Sequence, residues 1–128
     1  MSYYFSKIIN DDFDTAIEKV TEELKKEGFG VLTQIDIQDT LKKKLNVDFK
    51  KYRILGACNP HFAHEALKAE DKIGAMLPCN VIVQEHENNN VEVSAVDPVA
   101  SMMAVKNKKL SAVANEVRAK LEKVITNL

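Results

Sequence analysis

Apolar residues recur along this chain with two different periods. Phe13, Ile17, Val20 and Leu24 fall three or four positions apart, and so do Leu110, Val113, Val117, Leu121 and Val124. Each set draws one stripe down an amphipathic helix. Asp11 or Asp12 can cap the first helix, and Gly28 closes it. A second, shorter helix follows Asp36, with Ile37, Leu41 and Leu45 as its stripe, and a third runs from Pro60 over residues 60–69. Between them the period drops to two. Tyr52, Ile54, Gly56 and Cys58 alternate with Leu55 and Ala57, so the strand over residues 51–58 is apolar on both faces. Strands are also predicted over residues 3–9, with Tyr3, Phe5 and Ile8 packed, and over residues 30–35, 79–87 and 91–96. Asn88-Asn89-Asn90 separates the last two as a hairpin turn. A short linking segment spans residues 71–77, and Pro98 opens a short helical segment to Met103. The hairpin makes at least part of the sheet antiparallel. The expected fold is therefore α+β: a two-layer sandwich in which helices cover a predominantly antiparallel sheet, built as one domain over residues 1–128.

Composition narrows the picture without naming an activity. The chain has 128 residues, 18 Lys plus Arg against 19 Asp plus Glu, and a formal charge of -1. That balance gives no global attraction to nucleic acid or to an anionic membrane surface. The lysines at 42–44, 50–51 and 106–109 read as solvated helix faces and turns. No run of about 18 apolar residues suggests a membrane span, and the first residues lack the basic flank and apolar stretch of a signal peptide. A cytoplasmic protein with reduced thiols is expected.

The chemically capable side chains gather around two similar pentapeptides, Gly56-Ala57-Cys58-Asn59-Pro60 and Leu77-Pro78-Cys79-Asn80-Val81. The first Cys-Asn pair closes a strand and the second opens one. If the two strands pair antiparallel, both thiols reach the same end of the sheet. The spacing is not that of a Cys-x-x-Cys redox pair or of a zinc knuckle, and neither a metal nor a cofactor is expected. One reading makes Cys58, Asn59, Cys79, Asn80 and Asp97, with His64 nearby, the floor or rim of a noncatalytic pocket for a small polar or anionic ligand. A competing reading is a thiol-dependent enzyme or redox protein, in which Cys58 or Cys79 is the nucleophile and His64 raises its thiolate fraction. Each residue also has a plain structural role open to it: core cysteine, strand-end asparagine, surface histidine, or, for Asp97, a helix cap. His86 belongs to the hairpin end, away from this cluster. Arg53 should reach the face opposite Cys58 as an interface or surface ion-pair residue, and Gly56 should allow close packing against a helix.

Tyr52-Arg53-Ile54-Leu55-Gly56-Ala57-Cys58-Asn59-Pro60, Ala63-His64-Glu65-Ala66-Leu67, Gly74, Leu77 to Val83 and Val93 to Pro98 together resemble the domain of unknown function 302 family of bacteria and archaea. The resemblance spans almost the whole chain. It implies a compact α+β fold and a homodimer, and it brings no substrate or mechanism. Where this chain has His61 the family pattern often has a small or apolar residue, which makes His61 a weaker site candidate than either cysteine. For a dimer contact, the region to inspect first is Arg53, Leu55, Ala57 and Met76.

Overall fold

The computed structural model describes residues 2–128. The elements follow in the order β1 (Tyr4–Ile9), α1 (Phe13–Lys26), β2 (Gly30–Asp36), α2 (Ile37–Leu45), β3 (Tyr52–Cys58), α3 (Pro60–Ala69), a 3-10 turn (Asp71–Met76), β4 (Cys79–Glu85), β5 (Val91–Val96), the single turn α4 (Pro98–Ser101) and α5 (Lys108–Thr126). The five strands form one sheet in the order β1-β5-β4-β3-β2, and every neighbouring pair is antiparallel. This is the α+β sandwich that the hydrophobic periods imply. Among the described residues no helix is long and apolar enough to cross a membrane.

Local chemistry sets the element ends. The carboxylate of Asp12 accepts the Thr15 N–H at 2.8 Å and starts α1. Gly28, at φ +87°, ends it. Its N–H reaches the Lys25 carbonyl, and the Phe29 N–H reaches back to the Leu24 carbonyl at 2.9 Å. That paired closure needs a left-handed residue after the cap, a conformation glycine adopts without a steric cost. Asp36 caps α2 through the Asp39 N–H in the same way. The hairpin turns through Asn89, at φ 62°, so β4 stops at Glu85 and not at residue 87.

Helices cover only one face of the sheet. Phe13, Ala16, Val20 and Leu24 of α1 and Val117, Leu121, Val124 and Ile125 of α5 pack on Leu55, Ala57, Val81, Val83, Val91, Val93 and Ala95. Each large aliphatic side chain sealed there is worth roughly 1.5–3 kcal/mol. In β1 the apolar residues on this side are Phe5 and Ile9; Ile8, expected inside, is exposed because the strand alternates about Phe5, and Tyr3, also expected inside, is exposed because it precedes the paired strand, which begins at Tyr4. Helix α2 buries none of its residues, and Leu45 stands 67% exposed, so its predicted stripe never meets the core. Among the described residues the other sheet face carries no helix, and its side chains Tyr4, Ile8, Ile35 and Asn80 are exposed. Strand β2, at one edge, holds a bulge: Val31 pairs with Ala57 and Thr33 with Gly56, which leaves Leu32 as an extra residue.

Gly56 lies on the helix-free face, so the close packing it permits is not against a helix. A β-carbon there would overlap Thr33 Oγ1 of the neighbouring strand and stand 2.8 Å from Pro78 Cγ. Gly56→Ala should therefore destabilise the fold by about 1–3 kcal/mol through overpacking. Gly74→Ala, where a β-carbon meets nothing within 4 Å, should shift stability far less. Urea melts of the two variants check this; equal midpoints would contradict the packing argument.

Candidate ligand cavity at the strand ends

Strands β3 and β4 pair so that Ala57 stands opposite Cys79. Cys58 is the next residue along, and both thiols therefore sit at one end of the sheet. Helix α3 leaves β3 at Pro60 and packs against α5, and the turn Asp71–Met76 brings the chain back to β4. These pieces enclose a cavity of about 350 Å³. Its wall is apolar: Phe29 after α1, Leu32 on the β2 bulge, Phe62, Ala63, Ala66 and Leu67 of α3, Leu77 and Pro78 before β4, and Met102, Leu110, Val113 and Val117 from the C-terminal part. Cys58, Asn59 and Cys79 are its polar exceptions.

The cavity gathers three of the residues singled out in the sequence and not the others. Cys79 is buried and Cys58 half-buried, and both are unpaired thiols. Burial, with a smaller contribution from the neighbouring Cys58, pushes the Cys79 thiol from its ordinary 9.0 up to about 11. Asn59 does not cap α3; its amide donates to the Glu27 carbonyl at 3.1 Å and ties the start of α3 to the end of α1. Asn80 points the other way, exposed on the helix-free face, as the alternation after Cys79 requires. Asp97 is buried but engaged outside the cavity: it accepts the Val99 N–H at 3.0 Å as the cap of α4 and pairs with Arg118 Nε at 3.0 Å. Its neighbour Pro98 reaches the cavity wall instead. His64 and His61 are exposed on α3 and line no part of the cavity. His86 meets Glu92 at 2.9 Å near the hairpin. Arg53 pairs with Asp36 at 3.5 Å and hydrogen-bonds Gln34. Among the described residues no three His, Cys, Asp or Glu side chains gather as a metal-holding set.

The sequence reading passed over most of the wall. Phe29 and Phe62 carry no pattern that singles them out in the sequence, and Val113 and Val117 belong to the stripe of α5. Their apolar character was visible; the gap left between α3, α5 and the sheet end was not, because it depends on how two helices sit across a strand end.

The domain of unknown function DUF302 matches residues 5–128. The chain belongs to the DUF302 family. A crystal structure of an uncharacterized conserved DUF302 protein from Bacillus stearothermophilus superposes with a TM-score of 0.91 at 27% identity, covering 98% of each chain. No curated protein matches the sequence. The family membership agrees with the motifs around Cys58 and Cys79 and with the fold, and carries no reaction with it.

The raised Cys79 pKa has two measurable consequences. At neutral pH its thiol should resist alkylation in the folded protein, with Cys58 modified first, and its own rate should climb only toward pH 11. Stability should also fall between about pH 9 and 11, because there the unfolded thiol has lost its proton while the folded one still holds it. Rapid labelling of Cys79 at pH 7, followed by peptide mass spectrometry, would contradict both.

Proposed function

We propose that this DUF302 domain is a noncatalytic binding module whose ligand is a small, uncharged, largely apolar molecule held in the cavity between α3, α5 and the ends of β3 and β4. One observation carries the reading: a space of about 350 Å³, at the small end of ligand pockets, walled almost wholly by aliphatic and aromatic side chains. The pentapeptides around Cys58 and Cys79 raised a polar or anionic ligand as the first expectation. The wall argues for a different one. Among the described residues no lysine or arginine lines it, and the Asn59 amide nitrogen already donates to the Glu27 carbonyl. An anion entering there would lose its hydration without gaining a partner. The thiol-enzyme reading draws little support, since Cys79 is held neutral and His64 faces solvent. Unpaired thiols at Cys58 and Cys79 fit a reducing compartment such as the cytoplasm.

A homodimer is the second part of the proposal, supported by large apolar side chains left exposed on the helix-free face, Tyr4 at 44% and Ile35 at 46% among them. Leu55 and Ala57, first considered for that contact, are sealed under the helices and take no part.

The ligand reading is tested with a matched pair of probes. 1-Naphthol should bind saturably, one per chain, at least tenfold more tightly than 1-naphthoate. Ala63→Phe, which fills the cavity from α3, should weaken naphthol binding by a further tenfold or more, equivalent to about 1.4 kcal/mol. Titration calorimetry showing no naphthol binding, or equal affinity for the carboxylate, would defeat the proposal.

A further inference from the structure

The helix-free face of the sheet differs from an ordinary solvated one. An antiparallel sheet open to water on one side normally alternates apolar residues inward with polar and charged residues outward. Here the outward positions of the central strands include Tyr52, Ile54, Gly56, Asn80, Ile82, Gln84, Glu92 and Ser94. Charged residues make up 29% of the chain. Among the described outward positions of the five paired strands, Glu92 is the one charged side chain, and its carboxylate is occupied by the Ser6 hydroxyl and His86. All three tyrosines of the chain border the same shallow depression over β1, β3, β4 and β5. Loss of charge with enrichment in aromatic rings is the compositional mark of an interface centre.

From this we infer that the helix-free face is a self-complementary interface, packed face to face against the same face of a second copy about a two-fold axis. The inference rests on the homodimer reading above and assigns it a surface. Two features single out a second copy as the occupant. The first is the polar chemistry. Ser, Tyr, Thr, Asn and Gln each donate and accept hydrogen bonds, so a group of this face can pair with a different one of the same set on the second copy, and the two-fold makes each such pair twice. A face rich in one charge would repel its copy; the paired strands of this face carry only Glu92, which is engaged, and a single lysine, Lys50, stands at its margin over the Phe49 and Tyr52 rings. The second is size. Five strands about 4.8 Å apart and about 20 Å long project roughly 500 Å². The side chains corrugate that area, bringing it near the roughly 600 Å² per partner at the lower end of specific interfaces. Phe49, which lies against Tyr52 with ring centroids 6.2 Å apart, extends the apolar area past the end of β3. Two twisted sheets meeting this way stack about 10 Å apart, with both helical layers outward.

Sedimentation equilibrium of the full chain over a wide concentration range, together with two variants, tests the inference. Asn80 is already exposed, so Asn80→Lys should leave the monomer fold intact by circular dichroism and raise the dimer dissociation constant at least a hundredfold. Ile82→Lys at the centre of the face should do the same. Mixing Ile82→Lys with Ile82→Glu should restore association, because the two new charges then attract across the axis. Glu116→Lys, exposed on α5, should leave the dimer unchanged. A wild-type dimer that persists in both lysine variants would overturn the assignment of the face and leave the dimer standing. A wild-type chain that stays monomeric at every concentration, with the face free for some other partner, would overturn both.

Discussion

Everything at the strand ends depends on the pairing of β3 with β4. These strands are separated in sequence by α3 and the turn after it, and their backbone ladder fixes Ala57 against Cys79. A slip of β4 by one residue would turn Val81 and Val83 away from α1 and α5 and expose core side chains at once. The hydrophobic cost of that slip is what pins the register. The same register decides which groups face the cavity: Cys79 turns inward with the core, while Asn80, one residue later, turns to the opposite side. Chemistry at this end of the molecule is thus set by a packing constraint applied in the middle of the sheet.

Helix α3 packs against α5 and the turn that follows it, and the cavity lies between these pieces and the strand ends. The start of α3 is held to the end of α1 through the Asn59 amide and Glu27, and its buried Ala66 packs with Ile73, Met102, Leu110 and Ala114 in a second, smaller apolar cluster. The main core, under α1 and α5, is a separate body of side chains. The space lies where the two clusters approach one another, and its apolar wall is borrowed from both. A thiol there serves as a small, weakly polar wall element, which suits a buried cysteine whose proton is held firmly.

The fold was largely legible in the residue pattern because its strongest signals are local. The stripes beginning at Phe13 and Leu110 are long enough to demand helices, Asn88-Asn89-Asn90 demands a hairpin, and Pro60 suits a helix start. What failed to show was directional. Tyr3 and Ile8 share the apolar character of Phe5 and Ile9, and only the placement of β1 says that Tyr3 falls before the paired strand and that Ile8 turns outward. Leu55 and Ala57 looked as available for a partner as Ile54 until the helices fell on one side. The candidate site was partly legible for the same reason. Repeated Cys-Asn pairs at strand ends marked the place, but its apolar wall comes from residues up to Val117, whose meeting is a property of the assembled helices.

The bulge in β2 has a consequence for how such a domain can diversify. Val31 and Thr33 hold adjacent partners on β3, so Leu32 is surplus to the ladder, and it is the residue that forms the outer lip of the cavity. Removing that one position would leave Val31 followed directly by Thr33 in an unbroken register. The sheet would keep all its pairs while the cavity lost its lip. Mouth shape and fold are therefore encoded by separable residues, and an insertion or deletion at a single site suffices to alter what enters without renegotiating the core.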